Sequence, residues 1–527
     1  MISKILDFFL SFFDQKSRKI FFSSVIIMLI SHGFCFTNLM YSHDSLVFYD
    51  VGGWSKIVLG RWLYPFLVHR RQLATPGLMG ALSILYVSFA VVIVAKTFDL
   101  CEIKWRGVGL SVAILFGTNI TLISLFCTYI NDADADCLGL LLACLAVYGF
   151  KLFPKIINIF VPAVLLTFCL ALYQSYICVA AGLFVILLIY ESSKMENWND
   201  ISSVLLYGVK ELFTLILAVV LYIPSMYVFA NHYDIALSTG YNGAGNFSLL
   251  TITDVFKAIP KAYIYFKDTF FTVTEYNTHI IVAVNWLMII ILMITILIYI
   301  ISHQRFLGSL VIIIPCILLF PLALNSIYIV SFGTIHQLMI FAFCIVYMLP
   351  LVFISITDTC FWKKRLLKSF DYEKIKIAIL AVTFCSIIVV GFNNAVFANG
   401  AYVHKKLVYD NTKLHAHTIW EDINHLEGYK EGETPVLFMG SFDESMVAYK
   451  SSVSDIYGPS LTGAVNSSIT YASTSNCFYR SILGRDINIS YDDSKIKNNV
   501  QYLSMPIYPQ NGYCQMIGDF VVVKLSD

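Results

Sequence analysis

Apolar runs recur along most of the chain, at about 20–40, 78–98, 108–130, 137–153, 156–173, 176–190, 204–230, 280–301, 307–328, 334–356 and 376–397. An α-helix needs about 20 predominantly apolar residues to cross a bilayer core, and most of these runs reach that length. The pattern therefore predicts a polytopic α-helical membrane protein with about 11 transmembrane helices. From about Ala398 the hydropathy falls and the periodicity changes. Lys405 to Tyr429 predicts a helix, Pro435 to Met439 a buried strand closed by Gly440, and Phe520 to Leu525 a last strand. Residues 1–397 are thus read as a transmembrane domain with outer loops at 41–77, 131–136 and 231–279, and residues 398–527 as a soluble α/β domain of ordinary size.

Composition agrees with a membrane protein. Hydrophobic residues make up 58% of the chain and charged residues 13%, about half the share of a soluble globule. The net charge of +1 offers no basic face for nucleic acid. The placement of Lys and Arg is more informative, because cytoplasmic loops collect them. With the N-terminus inside, the inner segments hold Lys96, Lys104 and Arg106, then Lys151 and Lys155, then Lys194, then Arg305, then the cluster from Lys363 to Lys376. The opposite loops 131–136 and 325–331 hold none, and an odd number of spans leaves the C-terminal region outside. Arg61, Arg70, Arg71 and three Lys within 231–279 are the exceptions. Met1 to Lys19, basic and aromatic, predicts a short helix on the cytoplasmic face. It does not read as a cleaved signal, since the run after it is long enough to span and lacks a small-residue cleavage site. Of 13 cysteines only Cys477 and Cys514 fall in the polar C-terminal region, and their spacing leaves a disulfide open.

The candidate chemistry centres on 42–71, SHDSLVFYDVGGWSKIVLGRWLYPFLVHRR. Two acids, Asp44 and Asp50, stand directly beside a bilayer-buried helix, where unpaired charge costs several kcal/mol, so this stretch predicts an active-site loop. Val51, Trp54, Val58, Trp62 and Pro65 recur at helical spacing and predict an interfacial amphipathic helix, weakened at its start by Gly52 and Gly53. Asp50 and Arg61 share one stripe of that helix but stand about 16 Å apart, leaving each open to a ligand. Asp44 could take a proton from a hydroxyl presented at the membrane surface, or simply cap the helix or face solvent. In NDADAD, an extended segment would put Asp132, Asp134 and Asp136 on one side, whereas a helical start would set them at a favourable N-terminus. A divalent cation held by two of them is a further option, and beyond it no cofactor is indicated. Tyr173 and Gln174 in LALYQSY could hydrogen-bond a sugar or satisfy neighbouring helices. His336 enters the tenth span beside Gln337 and could contact a phosphate or serve structure alone. The segment 231–279 begins glycine-bearing and becomes amphipathic through Phe256, Ile259, Tyr263, Phe266 and Phe270, which predicts a loop followed by a second surface helix.

Taken together, the acidic loop after the first span, Trp54 to Trp62 ending in Gly60, Arg61 and Trp62, the LALYQSY stretch and the VLFMGS of the polar tail resemble the glucosyl transferase type II family. These are bacterial and prophage O-antigen-modifying, serotype-converting enzymes, polytopic glycosyltransferases of the GT-C type. The resemblance implies transfer of glucose from a polyprenyl (undecaprenyl) phosphate glucose donor to the lipid-linked O-antigen of lipopolysaccharide, on the periplasmic face of the inner membrane, with inversion. It implies Asp44 as general base, with Asp50 next, and an arginine at the donor phosphate in the late spans, where this sequence has His336, leaving Arg61 as the candidate; Trp62, Trp54, Asp134, Asp136, Tyr173 and Gln174 are the further candidate substrate contacts. The partners it implies are donor, acceptor and membrane lipids, without nucleic acid. Another polyprenyl-phosphate-sugar transferase, a polysaccharide polymerase and a lipid-linked saccharide flippase are the alternatives. A flippase would put its polar groups near mid-membrane and often in repeated halves, whereas these acids cluster at span ends.

Overall fold

The computed structural model describes residues 13–46, 52–68, 75–100, 107–239, 251–302, 307–331, 333–356, 372–442, 446, 457, 463–465, 469–470 and 475–527. Within them the apolar runs fold as helices: α1 (Gln15–Thr37), α2 (Pro76–Thr97), α3 (Gly107–Gly117), α4 (Ile120–Thr128), α5 (Ala133–Leu152), α6 (Ile157–Leu172), α7 (Ile177–Ser192), α8 (Asp200–His232), α9 (Ile252–Phe271), α10 (His279–Ser302), α11 (Leu310–Leu324), α12 (Phe341–Ile356) and α13 (Tyr372–Asn424). Among the described residues eight helical segments are long and apolar enough to cross a membrane, α3 and α4 counting as one, and α6, α11 and α12 are shorter apolar helices.

The distribution of residues around α8 shows what solvates this bundle. Its buried positions are Val204, Glu211, Thr214, Ala218, Tyr222, Met226 and Ala230, several of them polar. Its outward positions Leu205, Leu212, Ile216 and Val220 are aliphatic and each more than half exposed. A continuous apolar face of this size is a poor surface in water and a good one against lipid tails. The chain is a polytopic membrane protein.

Helix starts follow from local sequence. Thr75 accepts from Leu78 N at 3.3 Å, with Pro76 at the first helical position where its missing N–H costs nothing. Asp14 accepts from Ser17 N at 2.7 Å and starts α1. Lys16, Arg18 and Lys19 therefore belong to the first turns of the membrane helix itself, and the remainder of the predicted surface helix, 1–12, lies outside the described residues. Between α1 and α2 the approach is close: a Cβ at Gly80 would sit 2.3 Å from the Phe36 ring, so only glycine fits there.

The opening loop departs from the expected surface helix. Gly52–Leu59 forms a 3₁₀ turn, Gly60 takes φ +79°, and a separate short helix runs over Tyr64–Val68. Ile57, Trp62, Tyr64 and Val68 are buried, so the loop folds into the bundle. The left-handed turn at Gly60 breaks the helical register, and the carbonyls it frees are taken by side chains from α8 and from the turn before α7.

The predicted helix from Lys405 is the continuation of α13, one helix of 53 residues that runs through the change of composition at Ala398. Beyond it stands a four-stranded sheet of β1 (Pro435–Met439), β2 (Asn488–Ser490), β3 (Cys514–Ile517) and β4 (Phe520–Lys524), in the order β2-β1-β4-β3. β1 runs parallel to β2 and β4, with Val436 against Val521 and Leu437 against Val522, while β3 and β4 are antiparallel. Tyr513 donates to Asp422 at 2.7 Å and ties the sheet to α13. Cys477 and Cys514 are both buried and both free thiols.

Candidate active site

A helix leaves its last carbonyls without partners, and at α4 nearly every one is taken by a side chain from elsewhere. Phe126 O accepts from Cys35 Sγ of α1, Cys127 O from Lys405 Nζ of α13, and Thr128 O from both Ser42 Oγ at 2.6 Å and Ser45 Oγ at 2.7 Å. Asn131 Nδ2 in turn donates to Ser45 O at 3.0 Å. The two serines flank His43 and Asp44, so the segment carrying Asp44 is clamped onto the end of α4. From the C-terminal region, Ala464 O accepts from His43 N at 2.9 Å. The Asp44 carboxylate lies 3.3 Å from His43 Nε2 and its side chain keeps 34% of its surface exposed, enough to meet a ligand. The Tyr129 hydroxyl donates toward it, and burial together with the Asp44 charge holds that phenol well above its ordinary pKa.

A second set of charges adjoins the first. Asp132 stands at the N-terminus of α5 without a side-chain capping bond, and it pairs instead with Lys56 Nζ at 2.9 Å. Burial raises the Asp132 pKa, and Lys56 acts against that rise. The ammonium also lies 4.4 Å from the centre of the Tyr129 ring, a cation–π contact. Because 131–136 enters a helix, Asp136 falls one turn after Asp132 on the same face, and Asp134 is turned away from both. Asp136 Oδ1 accepts from the Tyr64 hydroxyl at 2.6 Å.

Arg61 is the cation in this cluster with unused bonding capacity. Its guanidinium lies over the Tyr173 ring at 4.5 Å, and its Nε is buried without a hydrogen-bond partner. Among the described residues no side-chain hydrogen bond or ion pair of Arg61 is formed, although Asp136, Tyr173, Tyr64 and Tyr129 all act on its charge. Burial alone would lower its pKa; the neighbouring negative charge, Asp136 first, raises it, so the cation persists. Asp44, which the Tyr129 hydroxyl meets, and Arg61, whose guanidinium lies over Tyr173, both act on the Tyr129 phenol, one raising and one lowering its pKa.

The other predicted contacts hold the loop. Gln174 Nε2 donates to Leu59 O at 2.7 Å and to the Tyr222 hydroxyl at 2.9 Å, and Tyr222 donates to Gly60 O at 3.1 Å, so the break at Gly60 is latched. Trp62 stacks on Phe229 of α8 at 4.5 Å between centroids, and Trp54 meets Tyr233 edge-on at 4.5 Å. His336 lies on 333–340, which α4 holds through Thr121 Oγ1 donating to Gln337 O at 2.6 Å; burial keeps its imidazole below its ordinary pKa. Asp50 lies outside the described residues. Among the described residues no three His, Cys, Asp or Glu side chains converge as a metal cage. Lys56, Tyr64, Tyr129 and Lys405 belong to the site and were not anticipated. Lys56 carried the signal that marked Arg61, a basic residue in an outer loop, where Lys and Arg are otherwise scarce.

A family model described as Glucosyl transferase GtrII matches residues 33–355, a span that takes in the whole cluster except Lys405. No curated protein and no solved structure matches the chain.

Proposed function

From the premise that this chain belongs to the glucosyl transferase GtrII family and is therefore a glycosyltransferase, we propose that it moves glucose from a polyprenyl (undecaprenyl) phosphate carrier to a sugar of lipid-linked O-antigen. The reaction takes place on the periplasmic face of the inner membrane. The acceptor hydroxyl gives its proton to Asp44 and its oxygen attacks the anomeric carbon. The bond from that carbon to the phosphate oxygen breaks, and the electron pair leaves with the polyprenyl phosphate. One displacement inverts the configuration. Arg61 receives the negative charge that builds on the leaving phosphate, the step at which preorganised donors lower the barrier most. Tyr129 and the Lys56–Asp132 pair hold base and cation in register, and Asp136 sets the position of Tyr64 and the charge beside Arg61. Asp50, Asp134 and His336 complete the candidate substrate contacts, with Trp54, Trp62, Tyr173 and Gln174 supporting the loop from which Arg61 projects.

The observation that carries this reading is a partly exposed carboxylate and a guanidinium whose Nε is bonded to nothing in the protein, both acting on the one phenol of Tyr129. A polyprenyl carrier keeps its tail in lipid and its sugar in water, which suits a site at the ends of apolar helices. The basic residues crowd the opposite loops, which supports a cytoplasmic N-terminus and a periplasmic C-terminal domain. The test is transfer in nanodiscs from radiolabelled polyprenyl phosphate glucose to a lipid-linked acceptor, with polyprenyl phosphate mannose as comparator. Glucosylated product from the first donor supports the reading. Product from the second alone, or movement of the carrier across vesicles without a glycosidic bond, overturns it.

A further inference from the structure

α3 and α4 part at Thr118 and Asn119, and the space beside that break is a cavity of about 90 Å³ lined by Thr118, Asn119, Tyr276, Asn277, Asn285 and Asn394. These polar groups come from the α3–α4 break, the turn before α10, α10 itself and α13, all within an otherwise apolar bundle. Among the described residues none that lines the cavity carries a charge.

Accounting for the amides shows which are committed to the fold. Asn119 accepts from Thr121 N at 2.9 Å and donates to Phe341 O at 3.1 Å, so both its ends are used. Asn285 donates to Phe270 O at 2.7 Å and accepts from the Tyr347 hydroxyl. Asn277 spends Nδ2 on the carbonyls of Thr269, Phe270 and Thr272, while its Oδ1 meets no protein donor, although the residue is only 4% exposed. Asn394 has one weak bond, accepted at 3.4 Å from Asn393, and its own Nδ2 donates to nothing. An open acceptor and, on the half-buried Asn394, an open two-proton donor thus face one cavity within the bundle. The aromatic rings of Phe270 and Phe343 form part of the same wall.

We propose that this cavity is a saccharide subsite that takes one uncharged pyranose ring of the acceptor. Neutral donors and acceptors beside aromatic faces match hydroxyls and ring C–H groups, whereas a phosphate or carboxylate would find no cation. The subsite is separate from the transfer site. Asn119 and Thr128 mark the two ends of α4, about 13 Å apart along the helix, farther than one ring reaches. The glucose being transferred is held near Asp44 and Arg61, so the ring in the amide cavity belongs to a neighbouring sugar of the acceptor chain. That identification rests on the transfer site proposed above; the existence of a sugar-binding cavity does not. Gln337 borders the cavity, bonded through its carbonyl to Thr121 and through Nε2 to the Tyr276 hydroxyl at 3.1 Å.

The test uses the full chain in nanodiscs, with methyl α-glucopyranoside as probe and saturation-transfer NMR as readout. Wild type and Asp44→Asn are expected to bind the probe equally. Asn394→Leu, close in volume but without an amide, is expected to weaken binding about three- to tenfold, the worth of one neutral hydrogen bond. In the transfer assay the same variant raises KM for the saccharide acceptor by that factor and leaves kcat and the donor KM unchanged. Should Asn394→Leu lower the unfolding temperature, Asn394→Gln, which keeps an amide but pushes it further into the cavity, is expected to give the same split. Binding that is lost in Asp44→Asn and retained in both Asn394 variants overturns the proposal, as does binding unaltered in all of them. If wild type binds the probe yet transfers nothing from polyprenyl phosphate glucose, the proposed reaction fails and the cavity stands.

Discussion

Two polar regions lie at the two ends of α4, and they are built from different chemistry. At the Thr128 end are Asp44, Lys56, Arg61, Asp132, Asp136 and Lys405, charges held by one another, by phenol rings and, for Lys405, by the Cys127 carbonyl. At the Asn119 end are amides and hydroxyls without a charge among the described lining residues. Burying charge carries a desolvation cost that the attraction often does not repay, so a cluster of buried charges fits a place where charge moves during a reaction. Neutral amides cost less to bury and discriminate shape and hydroxyl placement. The contrast separates a region suited to breaking a glycosidic phosphate bond from one suited to recognising a sugar.

That contrast can be broken at the charged end first. Asp44→Asn, which keeps shape and removes the base, is expected to cut the transfer rate about 10²- to 10⁴-fold in a nanodisc assay while the protein still inserts and folds. Lys56→Met strands the buried Asp132 carboxylate and is expected to cost about 3–5 kcal/mol of stability, read as a lower unfolding midpoint; Lys56→Met with Asp132→Leu recovers much of the loss. Gln174→Leu removes the latch on Leu59 O and Tyr222 and is expected to cost about 1–3 kcal/mol, with a several-fold fall in kcat as Arg61 loses its fixed position. Ser42→Ala and Ser45→Ala share one acceptor, Thr128 O, so each alone is expected to cost about 0.5–1 kcal/mol and the pair more than the sum, as a double-mutant cycle would show.

Much of the membrane architecture was legible because lipid asks for one thing, a long apolar run, and most such runs lie on helices, although 108–130 parts at Thr118 and Asn119 and 334–340 precedes the helix Phe341–Ile356. β1 was legible for a similar reason, a short aliphatic run closed by a glycine. The opening loop was harder. Val51, Trp54, Val58 and Trp62 keep helical spacing, but Gly60 breaks the register, and no periodicity reports that Leu59 and Gly60 offer their carbonyls to Gln174 and Tyr222. In NDADAD the choice between an extended segment and a helix start decided which acids meet. The helix brings Asp132 and Asp136 together and turns Asp134 away. Lys405 was out of reach, since its bond to Cys127 O joins residues 278 apart in sequence. The amide cavity was equally hidden. Asn119, Asn277, Asn285 and Asn394 each interrupt or border an apolar run, a signal of interior function in a membrane, yet nothing in one dimension says that they face each other.

The central claim is a division of labour at the charged end, with Arg61 holding the donor phosphate and Asp44 taking the acceptor proton. The most direct measurement is equilibrium binding of polyprenyl phosphate glucose to Arg61→Met and Asp44→Asn enzyme, followed by single-turnover transfer from whatever is bound. The account predicts that Arg61→Met loses donor affinity by about tenfold or more, while Asp44→Asn binds donor as wild type does and forms no product. Donor bound normally by Arg61→Met, or product formed at the wild-type rate by Asp44→Asn, would contradict it.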